Sequence, residues 1–309
     1  MPKSPYTLYT LTALIMSLSS PLQALEITTS IKPLQLLVAS ISEGVSRPTL
    51  LIPGANSPHD YQLRPSERRQ LEQAGLIFWI GPKLEMSLAK VLQQLPSSTR
   101  VVALAEQSEE SASQLPLHAQ LQAQLQAPSQ EHNHEYSGGE PHIWLDPVHA
   151  AELARKIATI LSEENPAHSA DYQKNLGHFL AQLNHYDLKL KALLDPVKNL
   201  GYFVFHDAYQ GFEQHYGLNH LGAFTLSPER RPGARHLAEI RQQLLNHQAV
   251  CVFSEPQFPP SLVSNLIEGT HVRQAQLDPL GIAIEADANG YYRLLMELGL
   301  SFQRCLEDN

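Results

Sequence analysis

Three of the 15 histidines stand next to short apolar runs, where the chain could bring their side chains together. His59 lies in a loop that follows the run at 49–52, and His206 directly follows the run at 202–205. His142 opens the segment His-Ile-Trp-Leu-Asp-Pro. Imidazole is a good ligand for Zn²⁺, so a shared zinc site is one interpretation. Taken singly, each of these residues is more often a structural histidine than a ligand.

Each of these histidines is followed by an aspartate within four residues. The aspartates are Asp60, Asp146 and Asp207. Carboxylates commonly accept a hydrogen bond from the second ring nitrogen of a metal-binding histidine. We therefore expect these aspartates to orient the three imidazoles.

The elements that must position these residues follow a strand–helix alternation, which favours a parallel sheet with helices on both faces. Ligands of open α/β sheets bind beyond the carboxyl ends of the strands. His59 and His206 have that position, one in each half of the chain. The predicted strands are Glu26–Ile31, Thr49–Ile52, Leu76–Ile80, Arg100–Leu104, Tyr202–Phe205, Val250–Phe253 and Arg273–Leu277.

A long helical segment separates the two halves. Asn165-Pro166 is a helix start signal, and the helical pattern continues to about residue 194. At 1.5 Å per residue this segment spans roughly 40 Å. We predict an α/β protein of two lobes, each a mainly parallel sheet with flanking helices, joined by one long helix. The predicted boundaries are 25–164, 165–195 and 196–309.

The first 24 residues have the layout of a signal peptide. Lys3 is followed by an apolar stretch, and Leu22-Gln23-Ala24 ends in a small residue suitable for cleavage. This predicts export, with a buried first helix as the alternative. The formal net charge of −9 argues against nucleic acid as a partner, because nucleic-acid binding needs a basic face.

Two cysteines, Cys251 and Cys305, are present. In an oxidising compartment such a pair indicates a disulfide. Two unrelated buried thiols are the alternative.

Four segments resemble the zinc-binding solute receptors of bacterial ABC importers, a family of zinc and manganese receptors. They are Pro-His-Asp-Tyr-Gln-Leu-Arg-Pro-Ser (58–66), His-Ile-Trp-Leu-Asp-Pro (142–147), Phe-His-Asp-Ala-Tyr (205–209) and Leu-Asp-Pro-Leu-Gly (277–281). Together they cover essentially the whole exported chain in the family order. The Cys251–Cys305 pair also resembles a disulfide of some members.

The resemblance implies a periplasmic receptor that captures Zn²⁺ between two lobes, with His59, His142 and His206 as ligands. Asp278 falls on the fourth ligand position, which water fills in some zinc receptors. Manganese receptors of this type carry glutamate where this chain has His206. The implied partner is the membrane permease of an ABC zinc importer, which the receptor contacts as a monomer at the membrane surface without inserting.

Zinc receptors often carry a long histidine-rich loop before the second ligand motif. Here the polar segment 106–140 holds only His118, His132 and His134. We expect this segment to be a plain flexible loop, and accessory zinc binding is the alternative.

Three other functions stay open on the sequence alone. A manganese-type receptor shares the same motifs. A zinc hydrolase also uses three protein ligands and a water, but the chain has no His-Glu-x-x-His motif. An adhesion or signalling protein could keep zinc as a structural element. Because of the resemblance and the missing hydrolase motif, we expect a transport receptor and no enzyme.

Overall fold

The computed structural model of the chain describes residues 25–105, 141–225, 233–246, 248–259 and 261–307. The predicted signal peptide (1–24) and the polar segment 106–140 lie outside the described residues, so both stay predictions. In the part of the chain that is described, no helix has the length and apolar character needed to cross a membrane.

The first half of the chain forms a sheet of four parallel strands in the order β2-β1-β3-β4. The strands are β1 (Ile27–Thr29), β2 (Thr49–Leu50), β3 (Leu76–Trp79) and β4 (Arg100–Ala103). The helices between them are α1 (Lys32–Ile41), α2 (Pro65–Gln73) and α3 (Met86–Leu92). All residues of β1 and β3 are buried, as expected for central strands with helices on both faces.

Two helices connect the halves. They are α4 (Pro147–Glu164) and α5 (Ser169–Leu194), with 3₁₀ turns at Ile143–Leu145 and Pro166–His168. Asp146 caps α4, since its carboxylate accepts a hydrogen bond from Val148 N at 2.9 Å. The 26 residues of α5 span about 39 Å. This is the long helix that the sequence predicted between the two lobes.

The second half forms another sheet of four parallel strands, in the order β6-β5-β7-β8. Its strands are β5 (Tyr202–His206), β6 (His220–Thr225), β7 (Cys251–Ser254) and β8 (Arg273–Gln276). Its helices are α6 (Gln210–Tyr216), α7 (Ala234–Leu245) and α8 (Ser261–Ile267). In chain order the two sheets have the same topology, 2-1-3-4.

Strand β6 was not predicted. It lies at an edge of its sheet, and its first three residues are only partly buried. Gly222 in its middle has φ 154°, and the register against β5 shifts between Tyr202 and Phe203. An edge strand of this kind lacks the continuous apolar run that marks buried parallel strands.

The last helix, α9 (Gly290–Leu306), ties the halves together. It packs on α1 and on α5, and the Tyr292 hydroxyl donates to the Phe179 carbonyl in α5 at 3.1 Å. Cys305 near its end is bonded to Cys251 in β7, the disulfide that the sequence predicted. A single large cluster of buried apolar side chains continues from the first sheet through α5 and α9 to the second. The two-lobed α/β fold is confirmed.

Candidate metal centre

The three histidines singled out in the sequence meet between the two lobes. His59 lies on the segment between β2 and α2, His142 directly precedes the turn at Ile143–Leu145, and His206 is the last residue of β5. Their side chains line one cavity together with residues from both lobes. Loop conformation and strand termination thus bring together residues that are far apart in the sequence.

The imidazole nitrogens have a spacing that suits a single metal ion. His142 Nε2 lies 3.2 Å from His59 Nε2 and 3.3 Å from His206 Nε2. Two nitrogens that each lie about 2.05 Å from a tetrahedral Zn²⁺ would be about 3.3 Å apart. Within the described residues, these three histidines form one of two groups whose ligand atoms all lie within 4.8 Å of one another.

The site keeps the imidazoles of His59 and His142 neutral. His142 and His206 are 6% and 4% exposed. Burial and the nearby His142 and His206 rings lower the pKa of His59 to about 3. Burial, with the neighbouring His206, holds the pKa of His142 well below its usual value. Neutral imidazole is the form that binds a metal ion, so the surroundings favour a metal over a proton.

Glu255 is a site residue that sequence reasoning missed. Its buried carboxylate lies 2.6 Å from His206 Nδ1, on the side of the ring away from His142. Such a carboxylate fixes the tautomer in which Nε2 faces the metal, and it increases the basicity of the ligand. Glu255 directly follows β7, the neighbour of β5, where the strand order of the second sheet reverses. A carboxylate just beyond a predicted strand was the signal available in the sequence.

Two of the three aspartates, Asp146 and Asp207, make hydrogen bonds outside the three histidines. Asp146 caps α4 and accepts from His149 Nδ1 at 2.7 Å. Asp207 accepts from Gln210 Nε2 at 2.7 Å, and Asp60 is exposed. The prediction was wrong for His206, because the carboxylate bonded to its ring belongs to Glu255. Proximity in sequence does not direct a side chain toward its neighbour when a helix start or a turn uses that side chain.

Asp278 lies close to the centre but outside the group of three histidines. Its Oδ1 accepts hydrogen bonds from Leu280 N at 3.1 Å and Gly281 N at 3.0 Å, and its Oδ2 accepts from Ile282 N at 2.7 Å. The Gln257 side chain adds a fourth donor at 3.2 Å. In this conformation the carboxylate organises its own loop.

Both lobes contribute the walls of the cavity. The Trp144 indole N–H donates to the Pro279 carbonyl at 2.8 Å, and Gln257 Nε2 donates to the Gly54 carbonyl at 3.3 Å. These bonds join the loops on either side of the cleft. The cavity volume is ≈ 10 Å³, which is room for about one water molecule. The site as built has room for a single ion.

Comparison with known proteins adds a family match over nearly the whole chain. Residues 27–305 match the model of the zinc-uptake complex component A, periplasmic, ZnuA. A high-affinity zinc uptake system protein ZnuA of Yersinia pestis is 39% identical over 307 residues, covering 96% of this chain and 95% of the relative. The ZnuA of Brucella abortus (strain 2308) is 35% identical, covering 91% of each chain.

Solved structures share the fold at lower identity. A zinc-bound deletion mutant of ZnuA has a TM-score of 0.74 at 23% identity, covering 93% of this chain and 99% of that one. The periplasmic zinc-binding protein TroA of Treponema pallidum has a TM-score of 0.74 at 20% identity, covering 91% and 99%. These likenesses concern the arrangement of two lobes around a long helix.

Proposed function

Because this chain belongs to the ZnuA family, the periplasmic components A of zinc-uptake complexes, we propose that His59, His142 and His206 bind the Zn²⁺ ion that it carries. The protein is a periplasmic zinc receptor and not an enzyme, and zinc is its transported ligand rather than a resident cofactor. Family membership by itself does not say which residues of this chain hold the ion.

The observation that carries the proposal is the spacing of the three Nε2 atoms. The 3.2 Å and 3.3 Å separations fit ligands of one tetrahedral ion. The depressed pKa of His59 and the carboxylate behind His206 support it independently. Histidines that served packing alone would not need to point their nitrogens at one another.

We assign the fourth position to water rather than to Asp278. That carboxylate already accepts four hydrogen bonds, three of them from consecutive backbone N–H groups of its own loop. Turning it toward the ion would leave those donors unpaired, at about 1–3 kcal/mol for each that is buried. A fourth site that holds exchangeable water also leaves an open position from which zinc can be passed on.

A manganese receptor is the second candidate, and the donor set counts against it. Three imidazoles suit Zn²⁺, whereas Mn²⁺ prefers oxygen ligands and higher coordination. The volume of the cavity leaves little room for the additional ligands.

As a component of a zinc-uptake complex, the receptor has transporter partners. We propose that the direct partner is the membrane permease of an ABC importer and that the receptor docks as a monomer. Surfaces of both lobes flank the cleft, so one permease could contact both and open it.

The test is isothermal titration of the metal-stripped protein with Zn²⁺ and Mn²⁺. His59→Ala, His142→Ala and His206→Ala should each weaken zinc binding at least 100-fold and leave the circular dichroism spectrum unchanged. His168→Ala is the matched control, since His168 is partly exposed and paired with Asp171. Asp278→Asn should have a smaller effect than any of the three. Wild-type affinity in one histidine variant removes that residue from the site.

A further inference from the structure

A second group of side chains that could hold a metal ion lies in the second lobe. Its members are Asp207, Glu213 and His220, whose ligand atoms all lie within 4.8 Å of one another. Asp207 follows β5, Glu213 lies on α6, and His220 opens β6. None of them belongs to the site described above, although Asp207 directly follows His206.

The hydrogen bonds of this group leave two buried polar atoms without partners. Glu213 accepts from the Tyr202 hydroxyl at 3.0 Å and lies 2.9 Å from His220 Nδ1. Asp207 Oδ2 accepts from Gln210 Nε2. Among the described residues, neither Asp207 Oδ1 nor His220 Nε2 makes a hydrogen bond of normal geometry, although the Gly222 backbone lies near the His220 ring. Buried polar atoms are rarely left unpaired, and each such case calls for a bound water or ion.

The negative charges of the group are compensated only in part, by the His220 imidazole beside Glu213. Two carboxylates share the site with a single imidazole, and Glu213 is only 4% exposed. Within the described ranges, no lysine or arginine forms an ion pair with either carboxylate. A buried carboxylate is normally paired with a cation or bound to a metal.

The negative charge of the two carboxylates acts on the pKa of His220. Burial lowers its pKa, but the hydrogen bond to Glu213, the Glu213 charge, a hydrogen bond to the Gly222 backbone and the Asp207 charge together outweigh burial and raise the pKa above its usual value. The surroundings therefore attract positive charge, in contrast to the three-histidine centre, where the pKa of His59 falls.

We propose that Asp207, Glu213 and His220 form a second divalent-metal site that binds Zn²⁺ more weakly than the histidine cluster does. One imidazole nitrogen and two carboxylate oxygens are a donor set that Zn²⁺ accepts, with oxygen distances of about 2.0–2.2 Å. Its higher oxygen content makes it less selective than the three-histidine centre, so Mn²⁺ should compete there more effectively. This second site uses none of the three histidines, although the Asp207 charge also acts on His142.

The test counts zinc equivalents on the metal-stripped protein by native mass spectrometry and isothermal titration. Wild type should bind one zinc ion tightly and a second zinc ion more weakly. His220→Gln should lower the affinity for the second ion at least 10-fold and leave the affinity for the first unchanged. His59→Ala should have the reverse effect, which separates failure of this site from failure of the first. Glu213→Gln is a second variant, with circular dichroism to verify folding.

Two controls make the result decisive. His168→Gln alters a partly exposed histidine outside both groups and should leave the binding of both zinc ions unchanged. Replacing His118, His132 and His134 by asparagine should also keep both, because the second equivalent does not depend on them. If wild type binds only one zinc ion, water alone fills the group of Asp207, Glu213 and His220. If His220→Gln still binds a second zinc ion, that ion binds elsewhere on the protein. Either result overturns the proposal.

Discussion

The imidazole of His206 lies between two unlike partners. On one side its Nε2 faces His142 at 3.3 Å, and on the other its Nδ1 faces the Glu255 carboxylate at 2.6 Å. The carboxylate draws the ring proton to Nδ1 and leaves the Nε2 lone pair directed toward the cleft. The sequence predicted the histidines because their motifs are local, but it missed Glu255, whose role depends on the neighbouring strand.

Replacing Glu255 by glutamine should lower zinc affinity by about 10- to 100-fold, because a neutral amide supports the ligand tautomer less well than a carboxylate. Competition titration against a zinc chelator measures the change. Glu163→Gln, at an exposed residue paired with Arg100, is the control. Unchanged affinity in Glu255→Gln would show that this contact serves packing only.

Selectivity for Zn²⁺ over Mn²⁺ also depends on single residues. His206→Glu replaces one imidazole by a carboxylate and should lose zinc affinity while narrowing the gap to Mn²⁺. Because the new side chain would lie beside Glu255, the variant should be combined with Glu255→Gln to avoid two adjacent negative charges. Competitive titration with both ions gives the affinity ratio, to be compared with Glu255→Gln alone. A ratio equal to that of the single variant would exclude residue 206 from the ligand set.

Protonation of His59 makes the metal-free fold pH-dependent. Burial and the adjacent imidazoles lower its pKa to about 3, against about 6.5 in an unfolded chain. Between these values the unfolded chain binds the extra proton, so this histidine destabilises the fold as the pH falls below about 6.5. Glu85 acts in the opposite direction, since burial raises its pKa to about 7. The contribution of His59 must therefore be measured as the difference in pH dependence between wild type and a variant without this histidine.

From pH 6 to pH 5, metal-free wild type should lose about 1 kcal/mol more unfolding free energy than His59→Asn, because one histidine contributes about 1.4 kcal/mol per pH unit. Urea denaturation at the two pH values measures this. Parallel pH dependences would mean that His59 titrates normally in the metal-free protein.

At the level of secondary structure, most helices and strands could be predicted, because parallel strands buried on both faces give short apolar runs. The start of α4 followed from Asp146 and Pro147, and the structure shows that cap. Strand β6 could not be predicted, since Gly222 and the exposed edge remove the signal. The bonds of Asp278 could not be predicted either, because they depend on how residues 280–282 fold back.

The disulfide joins α9 to the amino end of β7, since Cys251 is the first residue of that strand. The candidate metal centre lies at the carboxyl ends of the strands. Reduction, or the double variant Cys251→Ala and Cys305→Ala, should therefore lower stability by roughly 2–5 kcal/mol and leave zinc affinity unchanged. Thermal unfolding and zinc titration test the two parts. A loss of zinc affinity would mean that α9 positions the site.

At the scale of the whole molecule, two sheets of the same strand order face one cleft and are held by α5 and α9. The lobe boundaries at 164/165 and 195/196 stay predictions, but β1–β4 precede them and β5–β8 follow them. Polar contacts cross the cleft in the described part of the chain. Gln257 reaches the Gly54 carbonyl, and Trp144 reaches the Pro279 carbonyl. Contacts of this kind can break without disrupting either core.

The bond between Trp144 and Pro279 gives the molecule an optical reporter of its own. The chain has two tryptophans, and the fully buried one is Trp144, whose indole N–H spans the cleft. In Trp79→Phe, removal of zinc should shift the emission maximum to longer wavelength, because parting of the loops wets the indole and frees its N–H. Trp144→Phe, which keeps Trp79, should show no such shift. An identical spectrum with and without zinc in Trp79→Phe would mean that the contact between Trp144 and Pro279 stays closed. If the contact opens, the emission wavelength of Trp144 reports the binding and release of zinc.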